Sequence, residues 1–457
     1  MTYAQLAVPD ESQLLFGRSP RPVECGFGLR VGEGQVYPEV NFTLPAISIC
    51  EETWGQILSH YEGMVASIIK RATALQVPGL VLEFELLPAM TETPEMGAEI
   101  TALLHRHLKE AHGKHGLQCA LRVTPTDIRD QSKPPELRSG APWERLKQSF
   151  TQCIEAGADI ISIESVGGKE IHDPGLMYGD LRSIIFALGV LAPRDMAWLW
   201  GEILPLCKAS GRVVAGGDSA CGFANTAMQL AHQKMLPEVL AAVVRAMSAV
   251  RSLVAFECGA IGPSKDCAYE GPVIKAITGC PISMEGKSAA CAHFSPLGNI
   301  ASAMCDLWSN ESVQDVRLLS GSAPEAFTEI LAYDCRLMNT AAASGGALTL
   351  RQWLVDSDES LSPQAVILTP KSTMEIARAI VGADSHYAAT LSAGRAAVRL
   401  LRHSNEAGAL ALGRRESTWL ERIERELASM PDDEMALLGE MKIAHGNVFR
   451  PSSYGLE

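Results

Sequence analysis

The sequence predicts an α/β protein, a (β/α)8 TIM barrel with an N-terminal cap and a C-terminal helical extension. Short apolar runs alternate with amphipathic, helix-like stretches at a fairly even spacing, which is typical of parallel strands joined by crossover helices. Three potential metal ligands, Glu164, Cys221 and Cys267, each follow one of these runs. Residues just past the C-terminal ends of barrel strands converge on the face that carries the active site. An open doubly wound sheet is the alternative.

The predicted strands are short apolar runs in the middle of the chain. They are Leu80 to Glu85, Gln118 to Val123, Asp159 to Ser162, Arg212 to Ala215, Ser252 to Phe256, Pro281 to Met284 and Val316 to Leu319. The eighth strand that a closed barrel requires is either Val40 to Leu44 or Val366 to Thr369.

The periodicity of apolar residues divides the chain into three parts. Residues 1–75 contain one helix-like stretch, Glu52 to Ala74, and are interpreted as a cap over one end of the barrel. Residues 76–345 form the barrel, and residues 346–457 form a helical C-terminal region. The predicted helices of the last two parts are Met96 to Ala111, Trp143 to Ala156, Ser372 to Val381, Ala388 to His403 and Ser417 to Met430.

Composition narrows the class of function. The chain has 457 residues, of which 53 are acidic and 39 basic, so its net charge of -14 argues against a nucleic-acid partner. The first residues lack the charged start and apolar core of a signal peptide, and we expect no membrane-spanning segment. We therefore expect a cytoplasmic protein that acts on a small molecule or binds a protein partner.

The 12 cysteines are scattered without the paired spacings of a disulfide framework or a structural zinc ribbon. In a reducing compartment most of them are expected to be buried small hydrophobes. The cysteines at strand-to-loop junctions are therefore the ones to consider as ligands or nucleophiles.

Each candidate ligand has a structural alternative. Glu164 follows the run DIISI, where a salt-bridged or loop-capping carboxylate is the simpler explanation. Cys221 precedes the helix-like segment GFANTAM, and a thiol at a helix N-terminus ionises more easily. A buried inert thiol is the structural alternative at this position. After the run Ser252 to Phe256 the sequence offers two cysteines, Cys258 and Cys267, and the residues alone do not choose between them.

Taken together, the three positions point to a metal site. Side chains that follow three consecutive predicted strands need to reach only across neighbouring loops. Two thiolates and one carboxylate suit zinc better than calcium or magnesium, and three protein ligands leave a fourth position open for substrate. An open position indicates a catalytic metal, which would act as a Lewis acid.

Other polar side chains are candidates for catalysis or for structure. Glu83 and Glu85 share one face of the run LVLEFE and could act as a hydrogen-bonding partner or as a general acid or base, or could form an internal ion pair with Arg122. His293, which follows Glu285 and Lys287, is a weaker ligand candidate. The triplet at 384–386, DSH, is a near miss to a cobalamin-binding motif, because an alanine stands where that motif needs glycine.

Several longer segments resemble the methanol:corrinoid protein methyltransferase family, specifically its zinc-binding catalytic subunit. They are GADIISIESVGGKE, GGDSACGFANTAM, RSLVAFECGAIGPSKDCAYEG, KAITGCPISMEGKSAACAH, LWSNESV and LAYDCRLMNTA, in the family's order. The resemblance implies a (β/α)8 barrel with added helices and one zinc ion held by Glu164, Cys221 and Cys267. It leaves Cys258 outside the ligand motif.

The resemblance also implies the reaction. The methyl group of methanol would pass to the Co(I) corrinoid of a separate partner protein and give methyl-Co(III), with Glu83 or Glu85 assisting at the oxygen. A homodimer, or a heterotetramer with the corrinoid protein, is expected. The alternatives are a zinc methyltransferase acting on a related alcohol, methyl ether or thiol, a zinc lyase of the same fold, and a non-catalytic assembly subunit.

Overall fold

The computed structural model describes residues 1–44, 47–265, 269–292, 295–313, 317–318 and 321–456. Its strands are β1 (Arg18–Cys25), β2 (Leu29–Glu33), β3 (Tyr37–Thr43), β4 (Leu80–Glu85), β5 (Cys119–Thr124), β6 (Ile160–Ile163), β7 (Val214–Asp218), β8 (Ser283–Glu285), β9 (Leu307–Val313), β10 (Arg317–Leu318) and β11 (Gly321–Ser322).

The α-helices surround these strands and continue to the C-terminus. In chain order they are α1 (Glu51–Ala74), α2 (Pro88–Glu92), α3 (Pro94–His115), α4 (Gly140–Ala156), α5 (Lys169–Tyr178), α6 (Leu181–Phe186), α7 (Ala192–Ser210), α8 (Thr226–His232), α9 (Glu238–Cys258), α10 (Gly271–Thr278), α11 (Lys287–Ala292), α12 (Ala323–Ala343), α13 (Ala347–Asp358), α14 (Pro363–Leu368), α15 (Pro370–Val381), α16 (His386–Glu406), α17 (Arg414–Ala428) and α18 (Glu434–His445).

The central sheet is parallel, as the alternation of strands and helices predicts. Within the described ranges it has seven strands, in the order β7-β6-β5-β4-β3-β9-β8. Each neighbouring pair is parallel. The carboxyl ends of all seven strands therefore point the same way, and the α/β class predicted from the sequence is confirmed.

A short segment after α9 is hydrogen-bonded to both edges of this sheet. The N–H of Ile261 donates to Ala215 O of β7 at 2.9 Å. Three residues later, Ser264 pairs in parallel with Ile282, and its N–H donates to Pro281 O at 3.1 Å just before β8. The sheet is thus curled, and its two edge strands lie on either side of the segment 261–264.

Most of the predicted strands are confirmed, within a few residues at each end. The runs that begin at residues 80, 118, 159, 212 and 281 correspond to β4, β5, β6, β7 and β8. Of the two choices for a further strand, Val40 to Leu44 matches β3, which lies in the middle of the sheet. The other, Val366 to Thr369, is wrong because it forms the end of α14.

The predicted strand Ser252 to Phe256 is also wrong, because these residues form the last turns of α9. Every residue of α9 from Val239 to Phe256 is buried. A helix that is buried on all sides has no polar face, so its apolar residues show no 3.6-residue period. A short window cut from such a helix looks the same as a buried strand.

The predicted strand Val316 to Leu319 lies partly outside the described residues. Its described part, β10, pairs antiparallel with β11 and is not a member of the seven-stranded sheet. The strand that the sheet takes from this part of the chain is β9, which pairs with β3 along its whole length and with all three residues of β8.

The β1–β2 hairpin, which the sequence reading did not anticipate, packs against the amino ends of the sheet strands. Val23, Leu29 and other hairpin residues form one buried cluster with Val81, Ala120 and the early residues of neighbouring strands. At Gly26, φ is +53° and a Cβ would lie 2.7 Å from the Cα of Ala120, so only glycine fits. Apolar side chains thereby fill the end of the sheet opposite the strand carboxyl ends.

The three helices predicted after residue 346, Ser372 to Val381, Ala388 to His403 and Ser417 to Met430, correspond to α15, α16 and α17. Among the described residues, two helical stretches are apolar and long enough to cross a membrane by length and composition, Leu181–Ser210 and Glu238–Cys258, and their most apolar windows are 78% and 100% buried inside the fold. Burial within the protein accounts for their composition.

Candidate active site

A pocket of about 410 Å³ lies at the carboxyl ends of the sheet strands. It brings together the last residues of two strands, Glu85 of β4 and Glu285 of β8, and two residues that follow strands, Glu164 after β6 and Cys221 after β7. Its remaining wall is Gly222, Asn225, Thr226, Gln229, Leu230 and Gln233. Two of the three predicted ligands, Glu164 and Cys221, therefore share one pocket.

The loop that carries Glu164 is fixed by buried hydrogen bonds. Just past Glu164, the N–H of Ser165 donates to Asp218 Oδ1 at 3.2 Å, and the Ser165 hydroxyl accepts from Arg251. At the start of α5, the N–H of Gly168 donates to the Tyr454 hydroxyl at 2.8 Å. Glu164 itself is about one-third exposed, at 32% of its side chain, and so can reach a ligand in the pocket.

Cys221 begins a single π-helical turn, Cys221–Asn225, that leads directly into α8. The sequence-based prediction of a cysteine at a helix N-terminus is confirmed. The amide Nδ2 of Asn225, four residues on, donates to the sulfur at 3.7 Å. Cys221 is only partly buried and lines the pocket, unlike the fully buried cysteines of the core.

Cys258 and Cys267 were the two alternative ligand candidates after the run Ser252 to Phe256, and the structure describes only the first. Cys258 is the last residue of α9, and its thiol donates to Ala197 O at 3.9 Å, away from the pocket lining. Cys267 lies outside the described residues. The residues that flank that segment belong to the site, because Lys265 contacts Glu164 and Glu270 accepts from the backbone next to Cys221.

Lys265 is a central residue of the site that the sequence reading missed. Its Nζ lies 2.7 Å from Glu83 Oε1 and 3.7 Å from Glu164 Oε1, and it also forms an ion pair with Glu85. The side chain is completely buried. The only sequence signal was a lysine two positions before a candidate ligand in the segment GPSKDC.

Glu83 and Glu85 do share one face of β4, and both contact Lys265. The two side chains differ in their exposure to solvent. The side chain of Glu83 is fully buried and accepts from the Thr124 hydroxyl at 3.0 Å, whereas that of Glu85 is 27% exposed and lines the pocket. Asn41 of β3 also donates to Glu85, at 3.0 Å.

Arg122, on the next predicted strand, was the ion-pair partner expected for Glu83 or Glu85, and it does lie opposite Glu83 in the β4–β5 register. Its Nε instead donates to Glu39 at 2.6 Å, and its Nη1 donates to Ser162 Oγ and Pro263 O. The expectation of an internal ion pair was right in kind, but the cation that pairs with the β4 carboxylates is Lys265.

A buried network joins the loops of the site. Arg251 of α9 donates to Asp218 at 3.0 Å, and the next residue, Ser252, donates to Glu270 at 2.7 Å. The same oxygen of Glu270 accepts from Ala220 N at 2.8 Å, which holds the backbone just before Cys221. Burial raises the pKa of the Asp218 carboxyl, and the adjacent Arg251 guanidinium opposes that rise.

The sequence offered two weaker candidates, the DSH triplet at 384–386 and His293, and the structure describes only the first. In the DSH triplet, the Ser385 hydroxyl caps α16 and His386 Nε2 lies 2.6 Å from Glu257, so both have structural partners. His293 lies outside the described residues. Lys287 forms an ion pair with Asp334, at 3.1 Å.

The donor set agrees in part with a zinc site. Among the described residues, no group of three His, Cys, Asp or Glu side chains is close enough together to hold a metal ion. Glu164 and Cys221, a carboxylate and a thiol, nevertheless line one pocket, and a mixed oxygen and sulfur donor set suits zinc. The third predicted ligand, Cys267, lies outside the described residues.

A parallel sheet with carboxylates and a thiol gathered at the carboxyl ends of its strands defines an α/β enzyme with its active site at that face. The sequence matches the methanol-cobalamin methyltransferase B subunit family, MtaB, over residues 1–455. The chain therefore belongs to this family.

Two relatives extend the comparison to the full length. The methanol–corrinoid protein co-methyltransferase of Methanosarcina barkeri (strain Fusaro / DSM 804) is 35% identical over 463 residues, with 99% of both proteins covered. The crystal structure of the methanol:cobalamin methyltransferase complex MtaBC from Methanosarcina barkeri contains a chain that matches with a TM-score of 0.95 at 34% identity, covering 99% of each chain.

Proposed function

We infer that this protein is a methanol:corrinoid protein methyltransferase, which transfers the methyl group of methanol to the corrinoid of a partner protein. The observation that carries this function is the family match over residues 1–455. The full-length relative acts, by its name, on methanol and a corrinoid protein, and the matching fold comes from the MtaBC complex. A corrinoid protein is therefore the partner.

We further propose that one zinc ion is held by Glu164, Cys221 and Cys267. Support comes from the shared pocket of Glu164 and Cys221 and from the anchoring of Lys265 and Glu270 on either side of Cys267 in the sequence. When bound, zinc would supply Lewis-acid polarisation of the C–O bond and stabilise negative charge on the departing oxygen.

The chain's own carboxylates have separate tasks in this proposal. Glu85 lines the pocket and is partly exposed, so it is the carboxylate that hydrogen-bonds the methanol oxygen. Glu83 is fully buried and holds the Lys265 ammonium, which keeps Glu85 in place. Of the two acids predicted from the sequence, we therefore assign the direct role to Glu85 and a positioning role to Glu83.

The fold that supports this site is proposed to be a (β/α)8 barrel in which the segment 261–264 takes the eighth strand position. Its hydrogen bonds to Ala215 and Pro281 on the two edges of the sheet support this assignment. The division into an N-terminal cap (1–75), a barrel (76–345) and a C-terminal helical region (346–457) is part of the same proposal. So are a cytoplasmic location, the absence of a nucleic-acid or membrane partner, and a homodimer or a heterotetramer with the corrinoid protein.

The experiment that tests the function is methyl transfer from methanol to free cob(I)alamin, followed by the absorbance of the corrinoid. Methyl-Co(III) must form with the purified protein and must not form without it. Dimethyl ether and methanethiol are tested in parallel. Turnover of either of these in place of methanol would replace the proposed substrate with the alternative methyl donor.

A further inference from the structure

The ammonium of Lys265 lies among three carboxylates, two on one strand and one in the loop after another. Glu83 and Glu85 come from β4, and Glu164 follows β6. The nitrogen lies 2.7 Å from the nearest of these carboxylates and 3.7 Å from Glu164. Both Lys265 and Glu83 have fully buried side chains, so water screens the attraction between these two groups poorly.

The same oxygens are the kind that hard divalent cations bind. Carboxylates, joined by amide and hydroxyl oxygens, are the usual ligands of Mg²⁺, Mn²⁺ and Ca²⁺, whereas thiolates favour zinc. The Asn41 amide nitrogen donates to Glu85 and the Thr124 hydroxyl donates to Glu83, and these hydrogen bonds fix the positions of the carboxylate oxygens. With Lys265 in place, no group of three His, Cys, Asp or Glu side chains among the described residues is arranged to hold a metal ion. We expect these carboxylates to compete for metal only once the ammonium is removed.

We propose that Lys265 determines metal specificity: its ammonium occupies the carboxylate cluster, excludes hard divalent cations, and so confines metal binding to a position that includes the Cys221 thiolate. The proposal rests on the zinc site inferred above. It gives a reason for the burial of a lysine beside the carboxylates of the site, since a positive charge at this position repels a second cation.

The test uses Mn²⁺ as the probe on chelator-treated, full-length protein, with bound Mn²⁺ measured by electron paramagnetic resonance and calorimetry. Removing a full positive charge a few ångströms from the carboxylates in Lys265→Ala should tighten Mn²⁺ binding on the order of a hundredfold or more. Adding Glu83→Gln to that variant should abolish most of the gain. Lys147→Ala, which removes a partly exposed lysine paired with Glu202, is the matched control and should not change Mn²⁺ binding.

Folding is checked by circular dichroism and thermal unfolding. If Lys265→Ala does not fold, Lys265→Gln removes the charge and keeps a hydrogen-bond donor, and it is expected to show the same gain. A folded variant of either kind that binds Mn²⁺ no more tightly than the wild type overturns the proposal. Zinc content of the wild type and of Cys221→Ser is measured separately, so a failure of the zinc site is distinguished from a failure of the role given to Lys265.

Discussion

The guanidinium of Arg251 donates from one nitrogen to Asp218 Oδ1 at 3.0 Å and to Ser165 Oγ at 2.5 Å. Asp218 ends the strand before Cys221, and Ser165 is the residue after Glu164. A single buried side chain of α9 therefore connects, through hydrogen bonds, the two loops that carry Glu164 and Cys221. The relative placement of Glu164 and Cys221 depends on a helix to which neither belongs.

The first prediction concerns the buried ion pair of Arg251 and Asp218. Arg251→Met should lower the free energy of unfolding by about 3–5 kcal/mol, because it leaves the carboxylate of Asp218 buried without its cation. Denaturant unfolding measures the loss. The double variant Asp218→Asn/Arg251→Met should recover much of it, and Arg30→Met, which breaks an exposed ion pair, should cost at most about 1 kcal/mol. Equal costs at Arg251 and Arg30 would contradict the assignment.

The second prediction concerns the metal. We expect about one zinc ion per chain in the wild type and loss of that zinc in Cys221→Ser, because a hydroxyl is a far poorer zinc ligand than a thiolate. Cys258→Ser is the matched control, since Cys258 lies at the end of α9 outside the pocket lining, and it should keep its zinc. The amount of zinc bound per chain is measured by elemental analysis after gel filtration. Retention of zinc in Cys221→Ser would remove this residue from the site.

The third prediction separates the two acids of β4. Glu85→Gln should lower the rate of methyl transfer to cob(I)alamin on the order of a hundredfold, the usual contribution of a positioned acid or base. It should destabilise the protein less than Glu83→Gln, because the Glu85 side chain is partly exposed. Glu83→Gln should mainly destabilise the protein, because it leaves the buried Lys265 without one of its carboxylates. Steady-state rates and unfolding curves are measured for both variants. If neither variant changes the rate, no carboxylate of β4 assists the reaction.

The fourth prediction is a pH dependence at the start of α5. Burial raises the pKa of Glu170 to about 7, although the Tyr454 hydroxyl donates to it. The folded state thus holds a proton that the unfolded state releases at lower pH, so this group's contribution to stability falls as the pH rises from the unfolded pKa towards 7.

Glu170→Gln removes that dependence. It should leave stability unchanged near pH 4 and raise it at pH 8 by on the order of 1–3 kcal/mol. Urea unfolding of both proteins across this range is the measurement, with the exposed Glu24→Gln as the control. A constant difference between wild type and Glu170→Gln at all pH values would show that the carboxyl does not titrate as described.

The sequence by itself determined the parallel strands and the convergence of their ends, because apolar runs bounded by loops reflect local burial and side-chain alternation. That reasoning put Glu164 and Cys221 near each other, and the structure finds both in one pocket. It failed at residues 252–256, where burial on every side removed the helical period.

Tertiary structure alone decided which charges meet. Lys265 is about 180 residues from Glu83 and Glu85 in the chain. Arg251 donates to Asp218 at the end of β7, and Ser252 donates to Glu270, which follows Lys265 in the sequence. No local pattern encodes such contacts, because they depend on how the sheet curls and on where the segment after α9 lies between its edges. The sequence determined which residues lie at the carboxyl ends of the strands. The way the fold closes decided which of those residues form ion pairs and hydrogen bonds with one another.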